Sequence, residues 1–365
     1  MKAKVLLIVD IKLSEFFSNK PFQFSMISWP GLGFYPYLSK ILDSYGIEYL
    51  TLDLYKNRVA DFQNYKKYVI SYECSPKEKE YYIKHNIVMF MSYSGESPIN
   101  SLKYHKNINR ISSHFHFIYG FSGVSNLLED KSNFRTFNWP MHIEPYSGVE
   151  FKNRSLLAFI ATAKSKYVYS NRFWASYYIR KPRYLLNLLI KLLHRKYGKD
   201  ISVYRFDYIK KLAPHKDFHL YGRGWDVALK KDSFFRSTHF ANTPKEIKNK
   251  GKELQNFKFT LCFENTRFQG YITEKIFDSM LAGSVPIYLG TKEIQKVVPL
   301  GCFINAEDFA NPEELLNHIR SIDEEKWEEY HSKILEFVNS DDFKNVYNAK
   351  TLANELWDEL KRILL

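Results

Sequence analysis

Apolar and polar positions along this chain follow two periods. Short apolar runs bounded by turn residues read as buried strands. Lys4–Ile11, Ile47–Leu52, Tyr68–Tyr72, Ile87–Met91 and His116–Tyr119 are runs of this kind. Tyr35–Tyr45 has helical spacing and stops at Gly46, a good C-terminal signal, and Pro76–His85 and Asn100–Ile108 read as helices. Strands alternating with helices predict a parallel sheet with both faces covered. A second series follows, with strands at Leu156–Ala161, Phe218–Tyr221, Phe257–Phe263 and Val285–Leu289. Its helices fall at Tyr204–Ala213, Thr273–Ala282 and Pro312–Ile322. The pattern divides the chain into a first Rossmann-like domain (1–140), a linker with Pro145 and Gly148 (141–155), a second Rossmann-like domain (156–325) and a helical tail (326–365).

The stretch Phe257–Gly290 concentrates polar residues at one end of a strand–loop–helix–strand unit. Glu264 and Asn265 stand where the first strand ends; Tyr271, Glu274 and Lys275 stand where the helix begins. Ligands of open α/β sheets bind at the carboxyl ends of strands, and helix N-termini favour anionic phosphate.

Two other stretches have marked patterns. In the tail, Leu352, Leu356, Leu360 and Leu364 recur every four residues and give a helix one apolar face, expected to pack on the protein or to meet a membrane or partner. Residues 172–199 hold eight Lys or Arg, no Asp or Glu, and a wide leucine stripe from Leu185 to Leu193. That is the pattern of a membrane-surface segment, and equally of an inserted hairpin whose leucines pack on the core.

Composition narrows the picture. A chain of 365 residues exceeds one ordinary core. Its net charge of +13 favours anionic partners, yet no nucleic-acid-binding motif is visible, so no nucleic acid is expected. Cys74, Cys262 and Cys302 are far apart, which supports neither a disulfide framework nor a metal site, and a reducing cytoplasmic compartment is expected. No segment approaches the roughly 20 apolar residues of a membrane span.

The runs CFENTRFQGYITEK and AGSVPIYLG within Phe257–Gly290 resemble the hallmark of glycosyltransferase family 10, the α-1,3/4-fucosyltransferases. Val203–Trp225 resembles that family's segment of an Arg-led helix, a short strand and a Tyr-Gly-Arg turn, and Gly95–Asn100, with Arg110 and Phe121, resembles its acceptor-side sequence. The basic segment departs from the family pattern by separating Asn171 from Arg205. The resemblance implies a GT-B type fold of two facing Rossmann-like domains. The second would bind GDP-fucose and the first would present the acceptor.

It also implies roles. Inverting sugar transfer needs a base for the acceptor hydroxyl and positive charge for the diphosphate. There is no Asp-x-Asp pair for a bridging metal, so no metal or other cofactor is expected, and none of the eleven histidines is assigned to one. Lys275, in the first helical turn, is implied as a diphosphate contact, with Arg205 as the second cation. Glu274 is implied as the ribose partner; at a helix start an acid is also simply favourable. Asn265 and Tyr271 line the nucleotide-sugar pocket or hold its loop. Glu264, ending a buried strand, must be paired, as a sugar-hydroxyl ligand or a structural one. Arg223 approaches the base or phosphate, or stabilises its turn. Glu96, in the loop after Ile87–Met91, is the expected general base. The function implied is transfer of L-fucose from GDP-fucose to a GlcNAc-type hydroxyl, by α-1,3- or α-1,4-linkage. In a bacterium the acceptor would be a lipid-linked surface glycan such as an O-antigen precursor. The enzyme would then sit in the cytoplasm or on the inner face of its membrane, held through 172–199 and the tail. The alternatives are another GDP-deoxyhexose donor, or a non-catalytic membrane-peripheral protein binding glycan or nucleotide.

Overall fold

The computed structural model describes residues 4–27, 29, 31–143, 148–162, 195–225, 238–247 and 249–364. They fall into two compact units. One comprises Met1–Ile143, Gln269–Tyr271 and Asp341–Leu365, the other Glu144–Phe268 and Ile272–Ser340.

The first unit is built on β1 (Val5–Asp10), β2 (Glu48–Thr51), β3 (Lys66–Tyr72), β4 (Ile87–Tyr93), β5 (Phe117–Gly120) and β6 (Phe134–Thr136). They form one parallel sheet in the order β2-β1-β3-β4-β5-β6. Leu6, Leu7, Ile8 and Val9 are all wholly buried, as an unbroken apolar run covered on both faces requires. The crossovers carry α1 (Tyr35–Ser44), α2 (Leu52–Asn57), α3 (Pro76–Lys84), α4 (Leu102–Lys106) and α5 (Ile108–Ser112). Helix α3 opens on a capping box: Ser75 Oγ accepts from Glu78 N, and Glu78 accepts from Ser75 N at 2.7 Å. The helix expected over Asn100–Ile108 is two short ones. Asn107 ends the first by donating its side-chain amide to Lys103 O at 2.8 Å, which satisfies a carbonyl the helix would otherwise have used.

The second unit holds β7 (Ser155–Ile160), β8 (Lys199–Asp200), β9 (Phe218–Tyr221), β10 (Phe257–Phe263), β11 (Thr266–Arg267), β12 (Val285–Leu289) and β13 (Ile304–Asn305). Its main sheet runs β13-β12-β10-β7-β9, all parallel, with β10 central. Strands β8 and β11 form a separate antiparallel pair. The helices are α6 (Ser202–Leu212), α7 (Lys250–Leu254), α8 (Glu274–Leu281), α9 (Pro312–Ser321) and α10 (Glu324–Asn339). Asn311 and Asp323 cap α9 and α10 through their side-chain oxygens. Trp327 of α10 is wholly buried and donates its indole N–H to Lys258 O at 3.0 Å.

The tail is divided between the units. Helices α11 (Asp341–Tyr347) and α12 (Ala349–Leu364) count with the first. Met141 N donates to Tyr347 O and Ala349 N to Met141 O, and the rings of Tyr45 and Trp357 lie 4.4 Å apart as α12 packs on α1. Leu356 and Leu360 are each only 1% exposed, so the middle of the leucine stripe is spent on this packing, while Leu352 and Leu364 are partly exposed. The basic segment 172–199 lies outside the described residues except for its last five. Among the described residues no helix is long and apolar enough to cross a membrane.

Candidate active site

The polar end of Phe257–Gly290 is a closed network. Strand β10 runs into Glu264, whose N–H continues the ladder to Leu289 O at 2.8 Å. The Glu264 carboxylate has no exposed surface. It accepts from Thr273 N at 2.8 Å, from Thr273 Oγ1 at 2.9 Å and from Lys275 Nζ at 3.1 Å. Thr273 is the residue before α8, and it spends its hydroxyl on Glu264 rather than on capping the helix. Lys275 Nζ also donates to Thr273 Oγ1 at 2.8 Å and lies 3.6 Å from Glu274 Oε1. Through these contacts Glu264 fixes the start of α8 and the Lys275 ammonium. A lysine in a first turn opposes the helix dipole, and this carboxylate is what holds it there.

A second ion pair adjoins the first. Lys250, at the start of α7, reaches Asp278 of α8 at 2.6 Å. Burial works against the charge of Glu274, but Lys275 and Lys250 outweigh it and hold its pKa below the ordinary glutamate value. Burial likewise opposes the charges of Lys275 and Lys250. The carboxylates of Glu264 and Glu274 raise the former, and those of Asp278 and Glu274 raise the latter. Asp278 is pushed up, by burial first and then by the neighbouring Glu274 against the pull of Lys250.

Arg205, on α6, joins from the other side of β10. Its guanidinium donates to Asn265 Oδ1 and lies over the Phe159 ring at 5.4 Å. Asn265 O accepts from Ile201 N at 3.1 Å, so the loop after β10 is tied through main chain and side chain to the start of α6. Its next residues, Thr266 and Arg267, pair with Lys199 and Asp200. The second unit thus brings together Arg205, Glu264, Asn265, Glu274 and Lys275 at the carboxyl end of its central strand.

The other expected site residues are Tyr271, Arg223 and Glu96. Tyr271 counts with the first unit, is 2% exposed, and sets its ring edge-on to Phe121 with centroids 4.8 Å apart. Arg223 is exposed on the turn after β9. That turn is held by its neighbours: Gly222 N donates to Lys245 O at 2.9 Å and Trp225 Nε1 to Ala161 O at 2.7 Å. Glu96, in the first unit, is exposed on the loop after β4, its N–H donating to Ser94 Oγ at 3.2 Å.

Sequence reasoning did not find Thr273, Lys250 and Asp278. Asp278 was within reach, since it lies one helical turn after Glu274 on the same face. Lys250 was not, because only the packing of α7 on α8 brings it there. Among the described residues no group of His, Cys, Asp or Glu gathers to hold a metal ion.

Comparison with known proteins agrees with this picture. Residues 196–356 match the family described as Glycosyltransferase family 10 (fucosyltransferase) C-term. The match takes in the whole of Phe257–Gly290, and the resemblance read from that stretch stands. A 74-residue stretch is 42% identical to the Alpha-(1,3)-fucosyltransferase FucT of Helicobacter pylori, covering 20% of this chain and 16% of that one. A 121-residue stretch is 31% identical to the human 4-galactosyl-N-acetylglucosaminide 3-alpha-L-fucosyltransferase 9, covering 33% of this chain and 29% of that one. The matched stretches thus span less than a third of the length of these relatives. Among solved structures, an alpha1,3-fucosyltransferase with GDP-fucose aligns over 100% of this chain and 91% of its own, with a TM-score of 0.50 and 18% identity. Anabaena Alr3699/HepE in complex with UDP and glucose aligns over 98% of this chain and 100% of its own, with a TM-score of 0.61 and 9% identity. At such identities the likeness is one of fold, and the fold is of GT-B type with parallel α/β sheets.

Proposed function

We propose that this protein transfers L-fucose from GDP-fucose to a hydroxyl of a glycan. The observation that carries the reading is the Glu264–Thr273–Lys275 network, which fixes a lysine beside a helix N-terminus at the end of the central strand of the second unit. Backbone N–H groups there favour a diphosphate, and Lys275 and Arg205 supply charge. Glu274, kept ionised by its lysine neighbours, is the acceptor for a ribose diol. In the reaction, Glu96 takes the proton of the acceptor hydroxyl and the freed oxygen attacks the anomeric carbon of fucose. The bond from that carbon to the diphosphate breaks, and GDP leaves with the negative charge that Lys275 and Arg205 offset. Attack opposite the leaving group inverts the anomeric centre, and protein cations serve the diphosphate without a metal.

The named specificities of the relatives point to a GlcNAc-type acceptor and an α-1,3-linkage, with α-1,4 as the other outcome. We place the enzyme in the cytoplasm or on the inner face of its membrane, acting on a lipid-linked bacterial surface glycan. The groups of the donor-side network serve nucleotide and diphosphate, so a related GDP-deoxyhexose is the second reading of the donor. GDP release from a panel of GDP-sugars and glycans, with the product linkage fixed by NMR, tests all of this. Glu96→Gln is expected to abolish transfer while GDP-fucose still binds. Full transfer by that variant removes Glu96 as base, and no GDP release with any GDP-sugar overturns the reading.

A further inference from the structure

A second polar cluster lies at the carboxyl ends of β3 and β4 in the first unit. Its centre is Glu73, the residue after β3, in the left-handed region with φ +54°. That backbone is strained for a non-glycine residue and persists only where its surroundings over-determine it. Here they do. Glu73 N donates to Tyr93 O at 2.8 Å, and Glu73 O accepts from the ammonium of Lys12, which also pairs with Glu78 at 3.0 Å.

The left-handed turn presents the Glu73 carboxylate to Ser94, whose side chain is buried. Ser94 Oγ donates to Glu73 Oε1 at 2.8 Å and accepts from Glu96 N at 3.2 Å. Ser94 Oγ also lies 3.3 Å from Glu96 O, but the hydroxyl has one proton, and the nearer carboxylate oxygen takes it. The hydrogen bonds therefore run in one direction, from the Glu96 amide to Ser94 Oγ and from Ser94 to the Glu73 carboxylate. Gly95, between Ser94 and Glu96, lies against the indole of Trp139 and near the Tyr72 hydroxyl. Burial, and after it the charges of Glu73 and Glu96, raise the pKa of that phenol, so both carboxylates stand near it.

We propose that Glu73 is a positioning residue for Glu96, acting through the Ser94 hydroxyl to set the backbone from which the Glu96 carboxylate is presented. This rests on the reading of Glu96 as the base. The hydrogen-bonded chain leaves the Glu96 side chain at the surface while fixing the two residues before it. A base on an exposed loop needs such a constraint, because a displacement of about 1 Å costs on the order of a hundredfold in rate.

The test is steady-state GDP release from GDP-fucose with a 4-galactosyl-N-acetylglucosaminide as acceptor, alongside thermal melting, for Glu73→Ala, Glu73→Gln, Ser94→Ala and Glu96→Gln. Glu73→Ala and Ser94→Ala are expected to lower kcat roughly ten- to a hundredfold, with KM for GDP-fucose changed by less than about twofold. Glu73→Gln is expected to recover most of the rate, because its amide oxygen still accepts from Ser94. Wild-type kcat in Glu73→Ala and Ser94→Ala while Glu96→Gln is inactive overturns the positioning role and leaves the base in place. Equal loss in Glu73→Gln and Glu73→Ala, or a loss that tracks melting temperature across the set, also overturns it. Full activity of Glu96→Gln removes the base reading itself. Should Glu73→Ala not fold, Ser94→Ala, which deletes one oxygen, decides alone.

Discussion

Replacing Glu264 with glutamine probes the donor-side network at its most buried point. Glu264 is fully enclosed and Lys275 keeps 18% of its side chain exposed, so the substitution leaves an ammonium largely out of water with Glu274, at 3.6 Å, as its near carboxylate. Removing one partner of a buried pair costs about 3–5 kcal/mol. The glutamine oxygen still accepts from Thr273 N, which brings the expected loss to the lower end, about 3 kcal/mol. For a unit of this size that lowers the melting temperature by roughly 6–12 °C. Lys275→Met is expected to cost a similar amount by stranding Glu264. The double variant is expected to recover about 2 kcal/mol relative to the sum, since neither charge is then left alone. Scanning calorimetry of the four proteins completes the cycle. Additive losses, or a Glu264→Gln loss below about 0.5 kcal/mol, would refute the pairing. A Glu264→Gln protein that melts like wild type but no longer transfers sugar would reassign Glu264 to the substrate.

Two further outcomes follow from other sites. Burial holds His105, whose Nδ1–H donates to Ser101 O at 3.0 Å, down to about 4. The unfolded chain takes up this proton first, so stability rises with pH through the interval between about 4 and 6.5 and is lost as pH falls through it. The first unit should lose about 2–3 kcal/mol from this residue between pH 7.5 and 4.5, read as the difference in urea midpoint between wild type and His105→Gln. An identical pH dependence in the variant would count against it. Gly222→Ala is expected to destabilise the second unit by more than about 2 kcal/mol, because a Cβ there would lie 2.0 Å from Ala161 O at a φ of +136°. A melting temperature equal to wild type would show that the turn has another conformation.

Much of this architecture was legible in the sequence, for reasons of length and burial. Phe218–Tyr221, Phe257–Phe263 and Val285–Leu289 are strands over the bounds expected, because buried parallel strands are unbroken apolar runs with polar ends. Strands of two or three residues gave no such signal. Phe134–Thr136 is a three-residue edge strand with two exposed side chains, and Thr266–Arg267 pairs only with Lys199–Asp200. At the candidate site, the cluster Glu264, Asn265, Glu274 and Lys275 was visible because its members flank one loop. Lys250 reaches Asp278 from a helix on the other side of β10 in sequence, and Glu73 reaches Glu96 through a serine just past the next strand. Such contacts come from packing and strand order, which residue spacing does not encode.

The docking of α12 on α1 has a consequence for how the protein is made. Helix α1 is synthesised well before α12, which covers it. At roughly 5–20 residues per second the first sheet can be complete some 10–40 s before its cover exists. For that interval the face of α1 that receives Trp357 is open on a nascent chain. The first unit is therefore begun before the second and closed after it, and chaperone demand should fall on a ribosome-bound intermediate whose sheet is formed and whose covering helix is still to come.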